Sequence, residues 1–348
     1  MKRFFFLLLL LIPFFAQSQV NQFGGPHRNG SYPDKNLLDK WPDGGPQLLL
    51  TVEGIGTGWS SAVTTDKAIY ITGMKDTLDY LTSIDFTGKI NWQVPYGRAF
   101  TKSFPDTRCT PTIEGNKIWV VSGTGKLSCF DATTGKEIWS VDVDKQFESK
   151  WFMWGVAESP LIVDDKVICS PYGDKTALVA FDKNTGKLIW QSKSVGGKRS
   201  YVSPVLYTYQ NFRYILSENT EKVIAVNAEN GDIAWEYKCP KGAEISPNCA
   251  LFKDDEIYIT RGYNVPSVML KMAPDGKSVT EKWKDTVLDC HHGGVVLVNG
   301  TIYGANWINN GKGKWCSLDW NTGKIGYETE WINKGSIITA DNKLICYE

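Results

Sequence analysis

Short apolar runs alternate with clusters of turn residues along most of this chain. In "ALVAFDKNTGKLIW" (177–190) one run stops at Asp182, a turn follows at Asn184–Gly186, and a second run ends on Trp190. The phrase recurs as "LTSIDFTGKINW" (81–92), "LSCFDATTGKEIW" (127–139) and "VIAVNAENGDIAW" (223–235). It returns with an insertion at 268–283, and at 315–327 with Tyr327 in place of Trp. Runs this short, β-branched or aromatic and bounded by Gly, Asn and Asp, predict strands rather than helices. A second hairpin precedes each phrase. Before 127–139, for instance, Thr110–Ile113 reads as a strand, Glu114–Asn116 as a turn and Lys117–Ser122 as the next strand. Each unit therefore holds four antiparallel strands, A to D.

The phrase glycines are Gly88, Gly135, Gly186, Gly231, Gly276 and Gly323, spaced by 47, 51, 45, 45 and 47 residues. A period in this range predicts an all-β fold, a β-propeller of four-stranded antiparallel blades. Each conserved-looking element of the phrase has a mechanical role. The Asp accepts hydrogen bonds from turn N–H groups. The Gly supplies a positive φ. The Trp lays a flat apolar face on the next blade, with its N–H free to reach a carbonyl. Trp92, Trp139, Trp190 and Trp235 are thus expected between blades. The last unit, "GSIITADNKLICYE", holds only strands A and B. Residues 45–54 ("GPQLLLTVEG") are expected to close the ring as an outer strand, in a propeller of seven or eight blades whose last blade is incomplete.

Ala180, Asp182, Thr185, Gly186, Lys187 and Trp190 match the tryptophan-docking phrase of quinoprotein-like propellers in full. Asp131, Thr134, Gly135, Lys136 and Trp139 match it with Cys129 in the Ala position. Over nearly the whole chain after its first residues, the sequence resembles the PQQ-repeat β-propeller family. That family includes PQQ-dependent alcohol dehydrogenases and also outer-membrane assembly scaffolds that hold no cofactor. The resemblance implies a site at the channel mouth for PQQ with Ca²⁺. Two dehydrogenase features are absent from this sequence, an adjacent Cys-Cys pair and a haem-attaching Cys-x-x-Cys-His.

The N-terminus changes the cellular picture. Lys2 and Arg3 precede an apolar stretch, Phe4–Phe15, and then Ala16-Gln17-Ser18. This is the pattern of a secretory signal covering 1–18, and the apolar stretch is shorter than the ~20 residues a bilayer span needs. Residues 19–348 are expected to form one propeller domain, monomeric and periplasmic or secreted, with no transmembrane segment after signal removal. Formal net charge is zero, with 38 Lys+Arg and 38 Asp+Glu, which argues against a nucleic-acid surface. Of the eight cysteines, Cys239 and Cys249 flank one connection and are the best candidate disulfide pair.

The D-to-A and B-to-C loops should gather on one face around the channel mouth, and they are rich in aromatic and polar residues, the composition a small-molecule pocket needs. Arg108, Trp154, Tyr201, Asn248, His292 and Trp307 are candidate cofactor-binding residues. Trp154 suits stacking on a planar ring, and packing between blades is its alternative role. Arg108 offers a planar fork for a carboxylate. Glu158 and Asn248 offer oxygens of the kind Ca²⁺ takes, while Glu158 equally suits capping of the Ser159-Pro160 turn. His291 and Glu158 are candidates for proton transfer. Adjacent strand residues point to opposite faces, so His291 and His292 reach one site only if the chain bends, and Gly293-Gly294 offers such a bend. Three functions fit this pattern: a small-molecule or PQQ site of the kind an alcohol or sugar oxidoreductase uses; a scaffold for an envelope protein or glycan; and a hydrolase or lyase using the His-rich loop.

Overall fold

A computed structural model describes residues 19–240, 242 and 244–348; the expected signal, 1–18, lies outside the described residues. Seven antiparallel sheets follow one another along the chain. Blades 1, 3, 4, 5 and 6 have four strands each in sequence order. Blade 1 comprises Val63–Thr64, Ile69–Lys75, Leu78–Ile84 and Ile90–Arg98. Blade 3 comprises Leu161–Val163, Lys166–Cys169, Val179–Asp182 and Leu188–Gln191. One short helix, Val143–Phe147, interrupts the pattern. The all-β propeller read from the sequence is what the chain adopts.

The repeated phrase works as its chemistry predicts. The Asp182 carboxylate accepts from Asn184 N (3.0 Å), Thr185 N (2.7 Å) and the Thr185 hydroxyl (2.8 Å). Asp319 does the same with Thr322. The Thr185 and Thr322 hydroxyls hold these two carboxyls below the usual carboxylate range. Each docking tryptophan then covers the phrase glycine of the next blade. Trp190 Nε1 donates to Ala228 O at 3.2 Å, and a Cβ placed on Gly231 would lie 2.6 Å from the Trp190 ring. Trp92 meets Gly135, Trp139 meets Gly186, and Trp283 meets Gly323 in the same way. Gly231 has φ +80, so both the turn and the ring exclude a side chain there. Trp190 and Trp235 are buried, whereas Trp92 and Trp139 are only half-buried. The fifth phrase departs from the rule: Gly276 packs against Phe212 and Tyr214 rather than Trp235.

The C-terminal unit follows the expectation and the N-terminal segment departs from it. Blade 7 is a two-stranded hairpin, Ser336–Ala340 with Lys343–Tyr347. Residues 45–54 form no strand; Leu50 packs against Gly88 of blade 1 instead. The segment that does reach blade 7 lies earlier. Ser31 bridges Thr339 in parallel, and Val20–Asn21 adds a fifth strand inside the inner strand of blade 2, Thr112–Glu114.

All eight cysteines are free thiols. The proposed Cys239–Cys249 pairing is not made: Cys239 N donates to Glu221 O, while Cys249 Sγ turns toward Ser203 O at 3.4 Å. Blade register, rather than a bridge, holds this connection.

Candidate functional site

The loops at the D-to-A end assemble two aromatic groups. The first is built on Tyr201, whose hydroxyl accepts from Met153 N and Trp154 N, both at 3.1 Å. Those bonds pin the 151–155 loop. They set the Trp154 ring 5.4 Å from the Tyr201 ring, tilted by 36°, with Phe104 edge-on to Trp154 at 6.1 Å. Arg108 lies over the Phe100 ring at 6.0 Å and donates to Asp106 O (3.2 Å) and to Phe104 O. Burial pushes the Tyr201 phenol up, Arg108 opposes the shift, and Tyr263 adds to it.

The second group centres on Tyr263. Its ring is edge-on to His291 at 4.4 Å and tilted on Trp307 at 5.0 Å. His291 and His292 lie with ring centroids 4.2 Å apart. The opposite-face rule for neighbouring residues does not apply, because residues 286–294 form a loop rather than a strand. Buried Asp289 organises the surroundings by accepting from Asn264 N (2.8 Å) and Trp307 N (3.1 Å). Burial, with His292 and Lys334 nearby, pushes His291 down to about 3, and burial with Lys334 lowers His292. Two neutral imidazoles near neutral pH are suited to hydrogen bonding and stacking. A group with so low a pKa is a weak general base.

Glu158 and Asn248 have other duties. Glu158 is 1% exposed. Its two oxygens each accept from Ser170 N at 3.1 Å, and one also accepts from the Ser170 hydroxyl. Arg199 stands 3.7 Å away and pairs with Asp144 at 2.8 Å. Burial raises the Glu158 carboxyl and Arg199 counters it. This carboxylate belongs to a buried network beneath the loop face rather than to a turn cap. Asn248 Nδ2 donates to Cys290 O (2.7 Å) and His291 O (3.1 Å), so it positions the histidine loop. Among the described residues no group of three or more His, Cys, Asp or Glu side chains is arranged to hold a metal ion. The donor set read from the sequence does not fit Ca²⁺, since Glu158 is already neutralised by Arg199 and bonded by Ser170.

Arg108, Trp154 and Tyr201 thus come together, as do His291, His292 and Trp307, while Glu158 and Asn248 act below and behind them. Tyr263 and Lys334 were not among the candidates the sequence offered. Tyr263 sits in "RGYNVP", a turn rather than a strand, at φ +58, a backbone state uncommon for a bulky residue and the one local trait that singles it out.

Residues 78–329 match the family described as outer membrane protein assembly factor BamB. The chain is 30% identical over 150 residues to the outer membrane protein assembly factor BamB of Burkholderia pseudomallei, covering 40% of this chain and 36% of that protein. It is 31% identical over 121 residues to the quinohemoprotein alcohol dehydrogenase ADH IIB of Pseudomonas putida, covering 32% of this chain and 17% of that enzyme. These matched stretches thus span about a third or less of the relatives' own lengths. In three dimensions it resembles BamB from Moraxella catarrhalis, with a TM-score of 0.56, 14% identity, and coverage of 84% of this chain and 78% of that one.

Proposed function

Since the chain belongs to the family of the outer membrane protein assembly factor BamB, we propose that it is an exported, periplasmic or secreted binding propeller that recognises an envelope polypeptide through its aromatic loop face. One observation carries this reading. Trp154 against Tyr201 and Trp307 against Tyr263 form two aromatic pairs on the loop face, the first beside Arg108 through Phe104 and the second beside His291 and His292. The nearby carboxylates are engaged below them, Glu158 by Arg199 and Ser170 and Asp289 by backbone N–H groups. Aromatic rings with an arginine are the residues that anchor protein interfaces.

A second reading, small-molecule binding of the PQQ type, draws support from Arg108 and Trp154 both lying against Phe104 and from the quinohemoprotein relative. In that case Arg108 would pair with a ligand carboxylate and Trp154 would stack on its ring. The quinone would supply the redox chemistry.

Two titrations of the folded protein distinguish the readings. A purified, urea-solubilised outer-membrane β-barrel protein, diluted into buffer, should bind the native chain and bind Trp154→Ala and Trp307→Ala variants at least tenfold more weakly, while Tm changes little. PQQ with Ca²⁺ should leave Tm unchanged. A rise in Tm with PQQ that vanishes in Arg108→Ala, together with no binding of the barrel protein, would replace the first reading by the second.

A further inference from the structure

The channel of this propeller contains part of its own chain. Residues 19–32 enter beside the A-to-B turn of blade 2, where Val20 pairs with Glu114 and Asn21 with Ile113. They turn inside the channel over Gly24–Gly30 and leave along the inner strand of blade 7. There Tyr32 N donates to Thr339 O and Thr339 N to Gly30 O, both at 2.8 Å. Leu37 N then reaches the Asp341 carboxylate in the A-to-B turn of blade 7 at 3.0 Å. The loop thus enters and leaves at the same end of the channel, opposite the aromatic loop face.

Its apex is Arg28, 2% exposed. All five guanidinium N–H groups have acceptors. Nε donates to Gln22 Oε1 (2.8 Å). One terminal nitrogen donates to Ser159 O (2.8 Å) and Pro204 O (3.0 Å), and the other to Thr112 Oγ1 (3.4 Å) and Pro160 O. One side chain thereby joins blades 2, 3 and 4 to a segment that is itself paired with blade 7. Among the described residues no carboxylate forms an ion pair with it. Burial lowers its pKa to about 10. The glycines are required: Gly25 and Gly30 have φ +81 and +74, and a Cβ on either would lie 2.7 Å from Ser31 O or from Val296 Cγ1. A cavity of about 430 Å³ remains beside the strap, walled by Leu161, Leu206, Phe252 and Leu297 and bordered by His27. The strap is held by hydrogen bonds to the inner edges of several blades rather than packed on all sides, which is how a bound peptide sits.

We propose that the inner channel wall is a binding site for an arginine-bearing peptide turn, occupied in cis by residues 19–32, and that this occupancy closes the ring from blade 7 to blade 2. The carbonyls of Ser159, Pro160 and Pro204 form the arginine socket, and the inner edges of blades 2 and 7 form the two strand-pairing grooves.

The test uses the full chain with residues 33–36, which are exposed, replaced by a site-specific protease sequence and cut after folding. In native gel filtration the strap should co-elute with the ring. From the Arg28→Met variant it should leave on the order of 100-fold faster, since charged hydrogen bonds are lost. Release should raise hydrogen exchange at Ser336–Ala340 above that in the blade 4 strands. A fluorescent peptide of residues 19–32 should rebind the emptied ring, and its Arg28→Met counterpart should not. If the Arg28→Met chain fails to fold, the two peptides on the native-sequence ring answer alone. Loss of the native strap as fast as the variant's, equal rebinding by both peptides, or unchanged exchange at Ser336–Ala340 after release would overturn the proposal.

Discussion

Replacing Trp190 by Ala probes the joint that repeats through this fold. The indole is 7% exposed, packs on the Gly231 turn of blade 4, and donates to Ala228 O at 3.2 Å. Truncating a large buried aromatic costs ~3–5 kcal/mol. Within that total, the lost hydrogen bond leaves the Ala228 carbonyl needing water, at about 1 kcal/mol. Trp190→Phe keeps most of the apolar contact and should lose only ~1–2 kcal/mol for the missing N–H and the smaller ring. Trp92 makes the same contacts with Gly135 and Ala132 but is half-buried, so Trp92→Ala should cost clearly less. Urea unfolding followed by tryptophan fluorescence and circular dichroism gives the three values. For a chain of this size Tm should fall by ~2 °C per kcal/mol. The reasoning fails if Trp190→Ala melts like the native protein, or if Trp92→Ala costs as much as Trp190→Ala.

Other expectations follow from the loop face and the network beneath it. His291 is lowered from 6.5 to about 3 in the folded state, so the unfolded chain binds its proton first as pH falls. The stability this neutral imidazole contributes is present above pH 6.5 and is lost between 6.5 and about 3. A His291→Gln variant should show a shallower loss of stability over that window in pH-dependent urea unfolding; identical slopes would contradict the assignment. Glu158→Gln keeps the Arg199–Asp144 pair but replaces a carboxylate that accepts from Ser170 by a weaker acceptor in a buried site, and should cost about 1–3 kcal/mol. If Glu158→Gln abolished ligand binding with stability intact, Glu158 would belong to the site after all. The Asp182 and Asp319 carboxyls, held below the ordinary 3.8 by turn hydroxyls, contribute stability above pH 3.8 that is lost as pH falls below it. Asp182→Asn should flatten that acid limb.

The propeller was legible in the sequence because its determinants are local. The Asp–Thr–Gly turn is set by hydrogen bonds within four residues, and the Trp that follows meets a glycine one period away. A signal repeated six times survives the loss of any one copy, such as the departure at Gly276. The loop-face aromatics were legible too, since loops of one kind must open at one end of a propeller: Arg108, Trp154 and Tyr201 converge, and so do His291, His292 and Trp307. Pairing across blades was not. Glu158 read as a Ca²⁺ ligand, a proton-transfer group or a cap of the Ser159-Pro160 turn because its partners, Arg199 and Ser170, lie 41 and 12 residues away, and nothing local marks a charge as paired. The strap was the least legible. "FGGPHRNGS" has no strand period, and its strand-like flanks pair over separations of 92 to 94 and of 308 residues. Arg28 finds its acceptors only once blades 2, 3 and 4 have brought their carbonyls to the axis. Short-range turn chemistry is written in the sequence; which distant backbone edge a short segment joins is decided only when the ring has formed around it.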